Sequence, residues 1–225
     1  MAFKLYIGNK CVSSWSLRPW IAMKHHAIPF EEEVVRLRTP ETPANLAKVS
    51  PSGQVPVLYH DGSVIWETLA ILEYLTELFP EKQLWPQDRD VRAFARSVAT
   101  EMHAGFRELR YGWPMNLRRP PAHKPLDAEG EAQRGRIEAV WRECREKFGE
   151  GGPFLFGRFT AVDAMYAPVV TRFERYGGDL APVTRAYVEA MLATPAMCEW
   201  YQGAAAETWP EPSPDAAMRA PSISP

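Results

Sequence analysis

Ser50-Pro51-Ser52-Gly53-Gln54-Val55-Pro56-Val57-Leu58 passes from a polar turn into an apolar run through a proline. Proline supplies no N–H to a ladder, so Val55–Pro56 opens a strand in one of two ways. It starts a plain edge strand, or it has a role that the neighbouring motifs imply. Downstream, Val55 to Tyr59 and Ser63 to Trp66 flank His60-Asp61-Gly62, and Asp-Gly between two apolar runs predicts a hairpin. From Glu67 the period changes: Leu69, Leu72, Leu75 and Phe79 share a helical face, which Pro80 closes. Upstream, Phe3 to Ile7 is a short apolar strand ending at Gly8-Asn9. After a loop through Ser14, Leu17, Trp20, Ile21 and Lys24 fall at helical spacing. Ser16 is expected to cap that helix, Pro19 is tolerated in its first turn, and Pro29 ends it near Ala27. Phe30 to Leu37 follows as a second strand, and Asn45 to Val49 is a weak helical centre in a loop.

The first eighty residues thus read β-α-β-α-β-β-α, a small mixed sheet with helices on both faces. The later chain reads as helices only. Val91 to about Leu117 predicts one long helix bent near Gly112 and Pro114. Asp127 to Phe148, Thr160 to Phe173 and Pro182 to Leu192 predict three more. The expected organisation is an α/β domain over residues 1–80, a linker over 81–90, an all-α domain over 91–208 and a Pro-rich tail over 209–225, draped over the surface or disordered.

A net charge of −2 and a pI of about 6.2 lack the basic excess of a nucleic-acid binder. Arg107, Arg110, Arg118 and Arg119 are locally basic; a solvated helix face is the plainer reading, and the wall of an anion site is the other. Cys11, Cys144 and Cys198 are far apart, with no metal-ligand spacing, so no metal is expected. No stretch is apolar enough for a signal peptide or a membrane span. A cytoplasmic protein is expected, with no nucleic-acid or membrane partner.

Four motifs in order, Ser13-Ser14-Trp15-Ser16-Leu17-Arg18, Ser50 to Leu58, Trp66-Glu67-Thr68-Leu69-Ala70-Ile71 and Thr160-Ala161-Val162-Asp163, resemble those of the glutathione transferases. The likeness runs from Phe3 to roughly Ala206. The fold implied is a thioredoxin-like N-terminal domain and an all-α C-terminal domain. Zeta-class enzymes of serine type are the nearest pattern, and the chain resembles a distant bacterial relative of them. Trp15 stands where their cysteine lies, which speaks against maleylacetoacetate isomerase activity.

The resemblance implies a cis Val55–Pro56 bond, glutathione as co-substrate pairing with the Val55 backbone beside Gln54, and its γ-glutamyl carboxylate on Thr68. An unpaired helix N-terminus suits such an anion. Glu67 is expected to reach the γ-glutamyl ammonium, and Arg18 or Lys48 the glycyl carboxylate. Ser14 is the first choice, and Ser13 the second, to donate a hydrogen bond to the glutathione sulfur. Such a bond favours the nucleophilic thiolate. Tyr111 and Met115 are expected to line a second-substrate pocket for a small hydrophobic electrophile, whereas His103 reads as an ordinary helix residue. Thr160 and Asp163 read as a structural capping pair. A homodimer acting in detoxification is implied. Two other functions stay open: a glutathione-dependent thiol–disulfide oxidoreductase using Cys11, and a non-catalytic glutathione- or ligand-binding protein.

Overall fold

Phe3, Leu5 and Ile7 turn one face of β1 (Phe3–Ile7) into the core, while Lys4 and Tyr6 lie on the other. The computed structural model describes residues 2–209. In it β1 pairs in parallel with β2 (Phe30–Val34) and antiparallel with β3 (Val57–His60), which carries β4 (Ser63–Ile65). The order is β2-β1-β3-β4, with Leu5 opposite Leu58. Edge strand β2 exposes Glu31, Glu32 and Glu33, charges that discourage pairing with another chain. The β3–β4 hairpin turns on Asp61 (φ 46°) and Gly62 (φ 85°), two successive positive values that a short polar residue and a glycine tolerate.

Helices α1 (Ser14–His25), α2 (Thr42–Val49) and α3 (Thr68–Leu78) complete the N-terminal unit. Helix α1 begins earlier than its expected Ser16 cap. Ser16 is buried inside the helix, where its Oγ accepts from Gly8 N at 3.0 Å and from the Ser13 hydroxyl at 2.8 Å. Ser13 is the N-cap residue but makes no side-chain cap bond.

The expected long helix is two. Helix α4 (Arg89–Ala104) stops at Gly105, and α5 (Arg107–Gly112) starts after Phe106, whose φ is 59°. A Cβ on Gly105 would stand 2.8 Å from the Glu101 carbonyl. Met102, Phe106 and Leu109 are all buried, so the apolar period runs through the break and hides it from a pattern reading. Helices α6 (Ala128–Phe148), α7 (Ala161–Tyr176), α8 (Pro182–Leu192) and α9 (Pro195–Ala206) follow. The sequence reading omitted α9, which buries Trp200 against Trp20 with ring centroids 5.0 Å apart. The Pro-rich tail expected over 209–225 lies, apart from Trp209, outside the described residues.

Helix α7 is the axis of the helical unit. Of its residues only Glu174 and Arg175 are more than slightly accessible, and α1, α4 and α8 pack around it. At its start Thr160 and Asp163 form the expected capping box. Asp163 is fully buried and accepts from Thr160 N (2.8 Å), Thr160 Oγ1 (3.0 Å), Leu155 N (3.1 Å) and the Tyr187 hydroxyl (3.1 Å). The two units share one core. Arg18 Nε donates to Met165 O at 2.9 Å, Ala161 N to Leu84 O at 2.7 Å, and Trp200 Nε1 to Lys10 O at 2.9 Å. These bonds join α1 to α7 and the loop after β1 to α9.

Candidate functional site

Ser14 and Trp15, adjacent in sequence, line two different cavities. Trp15, Gln54, Val55, Pro56, Glu67 and Thr68 bound a space of about 230 Å³. Val55–Pro56 is cis, as is Trp66–Glu67. Among the described residues nothing bonds the backbone amide or carbonyl of Val55, which sits in the turn before β3. This cavity therefore offers an unpaired peptide group and the N-terminus of α3, the combination that suits an extended peptide with an acid end.

Thr68 is buried, and its hydroxyl donates to Trp15 O at 3.3 Å, tying the serine loop to α3. Glu67 is the N-cap residue of α3. Its Oε1 accepts from Leu69 N at 3.1 Å, and its Oε2 lies 2.7 Å from His103 Nε2. The Glu67 carboxylate thus has two protein partners. His103 also lines this cavity, with its ring edge-on to Trp15 at 5.2 Å. It is a helix residue whose ring has a partner in Glu67.

Ser14, Tyr111 and Met115 meet in the second cavity, of about 460 Å³. Ser14 is half-buried, and among the described residues its hydroxyl makes no hydrogen bond. Ser13 is turned inward onto Ser16. Cys11 is 1% exposed and lines neither cavity. Of the three groups considered for the glutathione sulfur, only Ser14 reaches a cavity wall.

Arg18 and Lys48 line neither cavity. Arg18 is buried because its guanidinium is used inside the fold, on Met165 O and on Ser14 O at 3.2 Å, with the Trp15 ring 4.1 Å from its centre. Burial, and then the nearby Arg110 and Arg172 charges, hold its pKa well below the usual arginine value. Lys48 is exposed on α2 and bonds Asn45 Oδ1 at 3.4 Å.

Four other arginines line the second cavity: Arg38 from the loop after β2, Arg107 and Arg110 from α5, and Arg172 from α7. Arg110 lies over the Trp15 ring at 4.8 Å, opposite in role to Arg18, so the indole carries two cations. Arg118 and Arg119, the rest of the basic run, lie elsewhere; Arg118 holds Glu207 O and Trp209 O at 2.8 and 2.9 Å. Pattern reasoning missed Arg38 and Arg172. Nothing marks either in the sequence, since their convergence depends on the packing of α7 beside α5.

Comparison with known proteins agrees with this geometry. The family described as glutathione S-transferase, N-terminal domain, matches residues 12–78, and the corresponding C-terminal domain family matches residues 127–210. A curated relative, "Glutathione S-transferase L1" of Arabidopsis thaliana, is 24% identical over 88% of this chain and 76% of its own length. A "Probable maleylacetoacetate isomerase" of Caenorhabditis elegans is 36% identical over 47% of this chain and 48% of its own. A crystal structure of a Burkholderia glutathione transferase homologue with bound glutathione superposes with a TM-score of 0.69. It is 24% identical and covers 91% of this chain and 99% of its own. The two domain matches together span more than half of the sequence, in the order of its sheet and helical units, and on that ground the chain belongs to the glutathione S-transferase family.

Proposed function

We propose that this protein is a serine-type glutathione transferase, distantly zeta-like, that joins glutathione to a small electrophile. The observation that carries the proposal is that Ser14, its hydroxyl unbonded among the described residues, lines the second cavity while the adjacent Trp15 lines the peptide-like groove. Glutathione would lie along Val55, with its γ-glutamyl carboxylate at the N-terminus of α3 and its sulfur toward Ser14. The Ser14 O–H would donate to the sulfur, stabilise the thiolate and lower the thiol pKa, each tenfold of which corresponds to about 1.4 kcal/mol. The thiolate attacks the electrophilic carbon, a C–S bond forms, and the leaving group departs with the bonding electron pair. A homodimer in the cytoplasm, acting on electrophilic toxins, is the setting the family likeness suggests.

The exchange of disulfides through Cys11 is disfavoured by the burial of that thiol away from both cavities. Calorimetry with glutathione, followed by ultraviolet titration of the bound thiolate in the parent and in Ser14→Ala, tests the proposal. Binding in both, with a higher thiol pKa in the variant, is expected. An identical titration would remove Ser14 from its role, and absence of glutathione binding to the parent would remove the transferase reading altogether.

A further inference from the structure

The second cavity differs in character from an apolar pocket. Its arginines come from three separate parts of the fold, and among the described residues no carboxylate lines it, although Arg107 Nε lies 3.9 Å from Glu108 Oε1. Elsewhere in this protein arginines find acids: Arg96 grips Glu73 at 3.1 and 2.9 Å, and Arg136 grips Glu101 at 2.6 and 2.8 Å. Arg172 does not. It is 4% exposed, donates to the carbonyls of Trp113 (2.6 Å) and Arg110 (3.4 Å), and leaves its buried Nε without a partner. A desolvated cation whose counter-ion is missing costs several kcal/mol, and here the neighbouring Arg110 adds like-charge repulsion. Burial and that neighbour push the Arg172 pKa down to about 9. Such an arrangement is stabilised when an anion enters.

We propose that this cavity selects a carboxylate-bearing co-substrate, its oxyanion held by Arg38, Arg107 and Arg110 over the buried Arg172 and its flat apolar part against Tyr111. Planar guanidinium groups match a carboxylate in paired hydrogen bonds. Tyr111, 41% exposed with the Arg107 guanidinium 5.2 Å from its ring centre, supplies an aromatic wall beside the charges. The solvated-helix-face reading of the basic run fails for Arg110, which turns onto Trp15, and for Arg118, which lies in a turn and holds Glu207 O and Trp209 O. Selection of an anion also restricts the expected hydrophobic electrophile: Tyr111 and Met115 remain its apolar contacts, and the arginines require it to carry charge. The word co-substrate rests on the transferase reading; the anion site does not.

The test compares 3,5-dinitrobenzoate with its methyl ester, titrated by quenching of tryptophan fluorescence with saturating glutathione present and then absent. The acid is expected to bind at least about tenfold tighter than the ester, with an advantage that shrinks as salt is raised. Arg38→Gln and Arg107→Gln, both exposed positions chosen to spare folding, are each expected to reduce the acid-to-ester ratio. Equal or tighter binding of the ester overturns the proposal, as does an unmoved ratio in the double variant. Displacement of the benzoate by glutathione also overturns it, because the guanidinium groups would then serve glutathione's own carboxylates. A parallel titration with glutathione alone separates the two ideas: failure there with the acid preference intact removes only the transferase reading. Turnover of 4-chloro-3,5-dinitrobenzoate, in which the glutathione sulfur bonds the ring carbon and chloride leaves, is expected to be more efficient than turnover of its ester.

Discussion

Asp163 is the residue whose removal has the most predictable consequence. It is fully buried at the start of α7, and its two oxygens meet four donors. In Asp163→Ala the hydroxyls of Thr160 and Tyr187 can rotate toward other acceptors, but the amides of Leu155 and Thr160 cannot. A buried donor left without a partner costs about 1–3 kcal/mol, so the two amides together cost about 2–6 kcal/mol. A domain is stable by about 5–15 kcal/mol, so the loss is a large part of the whole. Asp163→Asn keeps one acceptor oxygen and turns an NH2 group toward the other amide, for a cost of about 1–3 kcal/mol. Urea unfolding followed by tryptophan fluorescence measures both. The carboxyl also titrates abnormally: burial, which outweighs its hydrogen bonds, raises its pKa to about 6 from 3.8. A raised folded-state value means that the parent is favoured below the unfolded pKa and loses that advantage as pH rises toward about 6. Asp163→Asn has no such proton, so its deficit is expected to be larger near pH 4 than at pH 7. An alanine variant destabilised by less than about 1 kcal/mol would refute the reasoning.

Ser13→Ala removes the bond to Ser16 Oγ and is expected to cost about 1 kcal/mol of stability without moving the bound-thiol titration; a shift like that of Ser14→Ala would transfer the catalytic hydroxyl to Ser13. Arg172→Met exchanges a buried cation without a carboxylate for an apolar chain of similar length. It is expected to stabilise the protein by about 1 kcal/mol while weakening the binding of 3,5-dinitrobenzoate, and a destabilised variant in thermal unfolding would show that its two carbonyl bonds outweigh its desolvation. His26 is driven by burial, and then by His25, Arg158 and Lys82, to a pKa of about 4 from 6.5. Its folded value is depressed, so stability is present above pH 6.5 and lost as pH falls toward 4; His26→Gln should flatten that slope in urea unfolding across the same window, and an unchanged slope would mean that the ring is not held neutral.

The elements that were legible in the sequence are those written in local signals. Alternation in Phe3 to Ile7 and the Asp61-Gly62 turn each act within a few residues and are found in the sheet and its hairpin, whereas Val55–Pro56, expected to open the strand, stands in the turn before β3. The Thr160–Asp163 box is local in the same sense. The helix break at Gly105–Phe106 was not legible, because burial of Met102, Phe106 and Leu109 continues the helical period across it. Helix α9 was not legible either; what identifies it is the docking of Trp200 on Trp20, nearly two hundred residues away in sequence.

At the site the same division holds. The order of the motifs alone determined the family and brought Ser14, Val55 and Thr68 forward as candidates. Tertiary structure decided which serine faces a cavity, that Arg18 serves the fold, and that Arg38, Arg107, Arg110 and Arg172 converge on one cavity. Backbone propensity and turn chemistry act between near neighbours and leave their record in short stretches of sequence. The convergence of four charges from a loop and two helices depends on how those elements pack, and no short stretch carries that information.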